Sequence, residues 1–284
     1  MLRGTYDRRF YDTGYFPHVF DNRFMTGKEP DEDSFVLRCS DRGLLAYPER
    51  DALFPLYKEI RSEDVRYLFS MDGEDYFLSM DEKAAFPSGG EYMSMRQIRR
   101  NPDISRHLSF ISWTAWQLYR WYSDNRFCGR CGGRTELSSE ERAICCPHCG
   151  RTIYPRIIPA VIAGVTDGNR ILLTKYAGHG IPFYALIAGF TEIGETLEET
   201  VAREVMEEVG LKVRNIRYYK SQPWGIVDDL LAGFFCEVDG SRDIRMDEKE
   251  LKEALWVERE EVELQPDDFS LTNEMMRMFK ENRL

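Results

Sequence analysis

Glu204, Glu207 and Glu208 are three carboxylates crowded into one short stretch of chain. In a helix, at about 100° per residue, Glu204 and Glu208 lie close on one face and Glu207 falls within the same third of the circumference. Like charges at that spacing repel, so the cluster needs either solvent or cations. Hard divalent cations such as Mg²⁺ or Mn²⁺ take oxygen ligands of this kind, and a water on such an ion becomes a nucleophile near neutral pH. Arg203 is placed to pair with Glu207 at i+4 and orient the acidic row.

A second constellation is made of sulfur. Cys128-Gly-Arg-Cys131 and Cys146-Pro-His-Cys149 each let two thiolates converge on one cation, with room between the pairs for a connecting hairpin. Four thiolates suit tetrahedral zinc and leave no position open for water, which assigns one Zn²⁺ per chain a structural role. His148, inside the second knuckle, is the alternative ligand. Cys39, Cys145 and Cys236 have no such spacing and read as structural.

These groups must be carried by definite elements. Thr196 and Glu199 form a capping box, Leu197, Val201 and Val205 step along a buried face, and Gly210 is suited to end the helix in a left-handed conformation. Upstream, Leu108, Ile111, Ala115, Leu118 and Tyr122 predict a helix over residues 105–123 that delivers the chain to the cysteines. Strand-like runs are expected at Phe35–Cys39, at Tyr67–Ser70 and Tyr76–Leu78 around an Asp72-Gly73 turn, at Ile157–Val165 and Arg170–Lys175 joined through Asp167 and Gly168, and at Tyr184–Ala188, Val213–Lys220 and Leu230–Val238. The chain therefore reads as α+β and multidomain: a β-rich α/β domain over 1–124, a metal-bound insert over 125–156, and a mixed α/β domain over 157–284.

Composition narrows the class. At 284 residues with 43% hydrophobic and 31% charged residues the chain has ample material for cores. The first residues carry arginines and no apolar stretch, and the apolar run IIPAVIAGV is too short to span a bilayer, so a cytoplasmic protein without a membrane segment is expected. A net charge of −11 argues against general attraction to nucleic acid. Between Arg96 and Arg156, however, eleven arginines face five acidic residues, which fits either a solvated face or a surface for phosphates.

The stretch from Gly189 to Leu211 resembles the Nudix box, G-x5-E-x7-R-E-U-x-E-E-x-G-U with U aliphatic, at every specified position. The resemblance implies an α/β/α sandwich from about Ile157 onward that hydrolyses nucleoside diphosphates linked to another group. It also implies that Glu204, Glu207 and Glu208 are metal ligands, one of them also a base toward water, and that the Ala188 carbonyl is a further metal contact, while Glu195 supports the loop. The sequence FCGRCGG, the second knuckle and Tyr154-Pro155-Arg156 are similar to the zinc-ribbon NADH pyrophosphatases. That likeness adds Glu250 as a distal metal ligand, with Glu253 one helical step away as its alternative, and gives Glu141, Tyr154, Phe190, Gln222, Trp224 and Thr272 as substrate contacts.

This branch implies a homodimer that converts NAD(H) to AMP and nicotinamide mononucleotide and also acts on NAD-capped RNA. Ser221-Gln222-Pro223-Trp224 begins the branch's S-Q-P-W-P-F-P-x-S signature, but Gly225, Ile226, Val227, Asp228 and Asp229 replace its continuation. A less preorganised loop is expected there, with an added negative charge at Asp229. ADP-ribose, FAD or a nucleotide sugar thus remain alternative substrates, and a nucleotide-binding regulator or a zinc-ribbon interaction module remain alternatives to an enzyme.

Overall fold

A computed structural model describes residues 18–177, 182–266 and 269–284. The initial stretch expected to carry no leader lies outside the described residues. The chain divides into two compact units, 1–156 and 157–284.

In the first unit the strands are β1 (Phe20–Asp21), β2 (Phe35–Ser40), β3 (Gly43–Ala46), β4 (Val65–Met71), β5 (Glu74–Ser79) and β6 (Glu91–Met93), in the sheet order β1-β4-β5-β2-β3-β6. Asp72 and Gly73 turn β4 into β5 with φ of 53° and 89°, the mirror-image turn that matches strand twist. Two helices follow, α1 (Met95–Arg100) and α2 (Arg106–Asp124), the latter preceded by Ser105 at its N-cap. Ile111, Ala115, Leu118 and Tyr122 are buried on α2 as their spacing predicts.

The cysteine segment then forms a three-stranded antiparallel sheet, β7 (Glu136–Leu137), β8 (Ile144–Cys145) and β9 (Thr152–Ile153). The predicted hairpin between the knuckles is β7–β8. Arg142, two residues before β8, donates through Nη2 to the Leu68 carbonyl at 2.6 Å and to Asn22 Oδ1 at 3.1 Å, tying this small sheet to the larger one.

The second unit is built on β10 (Ile158–Asp167), β11 (Arg170–Tyr176), β12 (Ile187–Phe190), β13 (Lys212–Trp224), β14 (Asp229–Asp239) and β15 (Leu251–Glu258), with helices α3 (Leu197–Val209) and α4 (Leu271–Lys280). Their sheet order is β13-β14-β10-β11-β15, with β12 also on β10. Asp167 belongs to β10 and pairs with Arg170, so the turn is Gly168-Asn169, one residue later than expected. Alternation along β10 divides the core: Val161, Ala163 and Val165 meet Val201, Val205 and Val209 of α3, while Ile162 meets Met275, Met276 and Phe279 of α4. One helix on each face of a mixed sheet makes this an α/β/α sandwich.

One feature of this sheet governs the site. β10 pairs with β11 only at Thr166↔Ile171 and Asp167↔Arg170, and nearer its start it pairs instead with β12, from Ala160↔Phe190 to Ala163↔Ile187. β11 meanwhile continues along β15. The hairpin splays, and the segment that leads into the acidic helix fills the opening.

Candidate functional site

The acidic helix forms as its sequence dictates. Thr196 Oγ1 accepts from Glu199 N–H, the Glu199 side chain accepts from Thr196 N–H, and Gly210 closes the helix at φ 69°. Inward-facing valines fix its rotation, and that rotation separates the three carboxylates. Glu208 is 1% exposed and Glu204 9%, while the Glu207 side chain is 60% exposed.

Arg203 is the hub. Its guanidinium donates to Glu195 Oε1 at 2.6 Å, Glu204 Oε1 at 2.8 Å, Glu207 Oε2 at 3.0 Å and the Phe190 carbonyl at 2.8 Å. The i+4 residue Glu207 is thus one of four partners. Glu195 also accepts from Thr200 Oγ1 and from Glu192 N–H, and the Arg203 bond, the largest influence, holds its pKa down to about 2. Glu195 therefore braces the loop before α3, as the resemblance implies.

Glu204 lies against β12. A Cβ added to Gly189 would meet the Glu204 carboxyl carbon at 2.0 Å, so the glycine is what lets the Glu204 carboxylate occupy this position. Burial raises the Glu204 pKa, with Glu207 and Glu250 adding to the rise. Burial pushes Glu208 further, to about 8, followed by the charges of Glu204, Glu250 and Asp247. Glu208 Oε2 is buried with no hydrogen-bond partner among the described residues. Asp247, which sequence reasoning passed over, donates its N–H to the Glu208 carbonyl at 2.8 Å and accepts from Glu250 N–H at 3.2 Å, which brings Glu250 toward α3.

Glu250 immediately precedes a strand, not a helix, which corrects the alternative at Glu253. Glu253–Glu258 pair in register with β11, and Glu253 makes an ion pair with Lys175 at 3.1 Å. Pairing across the sheet overrides the helical propensity of this Glu- and Lys-rich stretch.

The expected substrate contacts fall into two groups. Phe190 is 54% exposed at the end of β12, and Thr272 lies in the first turn of α4. Trp224 is half-buried, pairing with Asp229 across β13–β14. Gln222 is 1% exposed and donates through Nε2 to the Phe269 carbonyl at 2.8 Å. In the other unit, the Tyr154 hydroxyl donates to Glu141 Oε1 at 2.9 Å, with Tyr154 58% exposed. The loop expected after Trp224 is instead a tight turn over residues 225–228 with Asp228 at φ 69°, and Asp229 is buried in β14, so its charge does not lie on an open loop.

The zinc site is the most compact cluster. The Sγ atoms of Cys128, Cys131, Cys146 and Cys149 all lie within 4.8 Å of one another, the only such group of potential metal ligands among the described residues. Both knuckles use the same backbone bonds: Gly132 N–H to the Cys128 carbonyl at 2.8 Å, and Gly150 N–H to the Cys146 carbonyl at 2.9 Å. No three of the acidic carboxylates converge to that degree, and Glu207 is paired with Arg203.

Sequence comparison agrees with this architecture. Residues 156–279 match the family described as NUDIX domain, and residues 123–154 match the NADH pyrophosphatase zinc ribbon domain. The chain thus carries a Nudix domain, preceded by a zinc ribbon of the NADH pyrophosphatase type. Proteins named NAD-capped RNA hydrolase NudC are similar to it over 172 residues: one from an Enterobacter species at 41% identity and one from Escherichia fergusonii at 40%, each match covering 61% of this chain and 66% of the relative. The matched region thus spans just under two thirds of those relatives' length. A solved NUDIX hydrolase from Nitrosomonas europaea aligns with a TM-score of 0.47 and 24% identity, covering 55% of this chain and 91% of that one. The zinc ribbon with its four cysteines supports a structural zinc, and the Nudix domain implies a divalent metal. No described helix is long and apolar enough to cross a membrane.

Proposed function

We propose that this protein hydrolyses the pyrophosphate bond of NAD(H), releasing AMP and nicotinamide mononucleotide, and acts through the same site on NAD-capped RNA. The observation that carries the reading is the buried, unpartnered Oε2 of Glu208 beside the charges of Glu204 and Glu250. Burying carboxylates together is costly unless cations join them, and Mg²⁺ or Mn²⁺ match oxygen donors of this kind. The residues that would hold two or more such ions are Glu204, Glu207, Glu208, Glu250 and the Ala188 carbonyl. Bound there, the ions would neutralise the pyrophosphate and lower the pKa of an attacking water.

The chain's own groups supply the rest. A carboxylate of the Glu204, Glu207 and Glu208 set accepts the proton of the water. Arg203 holds Glu204 and Glu207 in place and ties α3 to the Phe190 carbonyl. The exposed Phe190 ring offers a face on which an adenine or nicotinamide ring stacks, and Gln222, Trp224, Thr272, Glu141 and Tyr154 are the further contacts proposed for the substrate. The names of the similar NudC proteins support the RNA substrate, and the eleven arginines between Arg96 and Arg156 suit its phosphates.

The tight turn over residues 225–228 favours a second reading, hydrolysis of ADP-ribose, FAD or a nucleotide sugar. Product analysis with NADH, NAD⁺, ADP-ribose, FAD and NAD-capped RNA tests both. AMP and nicotinamide mononucleotide as the main products of NADH support the first; a higher kcat/KM for another diphosphate transfers the assignment. A cytoplasmic homodimer is part of the same proposal, and light scattering on the purified protein checks the dimer.

A further inference from the structure

Tyr176 stands where β11 has parted from β10, and the register against β15 breaks between Lys175 and Tyr176. A bulge at a strand end re-aims the next side chain. Here the ring turns into the core beside α3 and reaches across the opening in the sheet. Its hydroxyl accepts from Ala188 N–H at 3.0 Å, lies 3.3 Å from the Leu186 carbonyl as a donor and 3.5 Å from the Ala188 carbonyl. One hydroxyl therefore engages the backbone of β12 just before Gly189, the residue on which Glu204 rests.

A phenylalanine would fill the same space without engaging the backbone. Nothing in the packing of the ring alone requires the oxygen.

We propose that Tyr176 is a positioning residue of the acidic site: its hydroxyl fixes β12 so that the Ala188 carbonyl and the Glu204 carboxylate are presented together. The proposal rests on the reading above that these groups hold divalent cations. Partners that orient metal ligands typically contribute about 10- to 100-fold in metal affinity or activity when removed. The loss should therefore appear in ion binding before any substrate is present.

The test is Mn²⁺ binding to the zinc-loaded protein, followed by electron paramagnetic resonance, for wild type, Tyr176→Phe and Glu208→Gln. Tyr176→Phe should weaken Mn²⁺ binding about tenfold while the melting temperature measured without Mn²⁺ stays near that of wild type. Unchanged Mn²⁺ affinity in Tyr176→Phe together with a loss in Glu208→Gln overturns the role of Tyr176 alone. Unchanged affinity in both overturns the metal-site reading itself. A loss that merely follows a large drop in melting temperature assigns the hydroxyl to stability and also overturns the proposal. Should Tyr176→Phe fail to fold, the wild-type protein labelled at tyrosine Cζ and glutamate Cδ answers the same question: Mg²⁺ should shift the Tyr176 resonance along the same saturation curve as that of Glu208, and an unmoved Tyr176 resonance rejects the coupling.

Discussion

Gly189 and Glu204 compete for one volume: a side chain on the first would stand 2.0 Å from the carboxyl carbon of the second. The obstructed atom is the far end of a flexible side chain, so Gly189→Ala can be accommodated by swinging Glu204 away. We expect a small loss of stability and a fall in kcat of about 100-fold, the scale on which a misplacement of about 1 Å acts. Steady-state kinetics beside thermal denaturation checks this, and equal losses in the two would show that Gly189 serves folding instead.

Glu207→Gln separates catalysis from architecture more cleanly. The side chain is 60% exposed and its contact is with Arg203, so the folded state should change by no more than about 0.5 kcal/mol. Turnover should nevertheless be abolished at saturating Mg²⁺. Retention of most activity would remove Glu207 from the site and revive the non-catalytic alternatives.

Cys146→Ser should release the zinc and unfold the ribbon, because structural zinc contributes about 10 kcal/mol or more in small apo-unfolded domains. Elemental analysis should find one zinc per wild-type chain and much less in the variant. A variant with full zinc content and unchanged stability would displace Cys146 from the ligand set.

Glu208 gives the pH dependence a sign. Its folded pKa is raised from 4.5 to about 8, so the folded protein free of Mg²⁺ and Mn²⁺ keeps a proton that the unfolded chain releases. Stability should therefore fall as pH rises from about 4.5 to about 8, and Glu208→Gln should flatten that slope. Added Mg²⁺ should oppose the decline. Denaturant titrations across this range, with zinc retained, decide the matter; a wild-type stability that rises with pH through the window would contradict it.

The turn after Trp224 carries the prediction about selectivity. Gly225→Pro, Ile226→Phe, Val227→Pro and Asp229→Ser together should raise the kcat/KM ratio of NADH to ADP-ribose. Because Asp229 is buried in β14, its single reversal should contribute least and cost the most stability. A wild-type enzyme already strongly selective for NADH, and no more so after the changes, would show that this turn does not set preference.

Local rules made α3 and the knuckles legible. A capping box, a terminal glycine and paired cysteines each specify their geometry within a few residues, and the structure follows them. What escaped depends on distant partners. Glu253 looks like a helical neighbour of Glu250 until β11 pairs with its segment, and Asp247 gains meaning only when its N–H meets the Glu208 carbonyl. Tyr176 is one apolar-polar residue in a strand, and nothing nearby in sequence announces that the hairpin will open beneath it. The donation from the Gln222 amide to the Phe269 carbonyl likewise requires the chain to return after β15.

The parallel ladder between β10 and β14 has a kinetic corollary. β11, β12, α3 and β13 all lie between those two strands in the chain, so the ladder closes only after most of the domain has been gathered into a loop. Closing such loops costs entropy before any contact repays it, and pairings of this kind make folding slow. The splay that admits β12, and with it the footing of Glu204, exists only once that ladder holds β10 in place. The helix alone owns the carboxylates but not their surroundings, which come from strands that this ladder gathers.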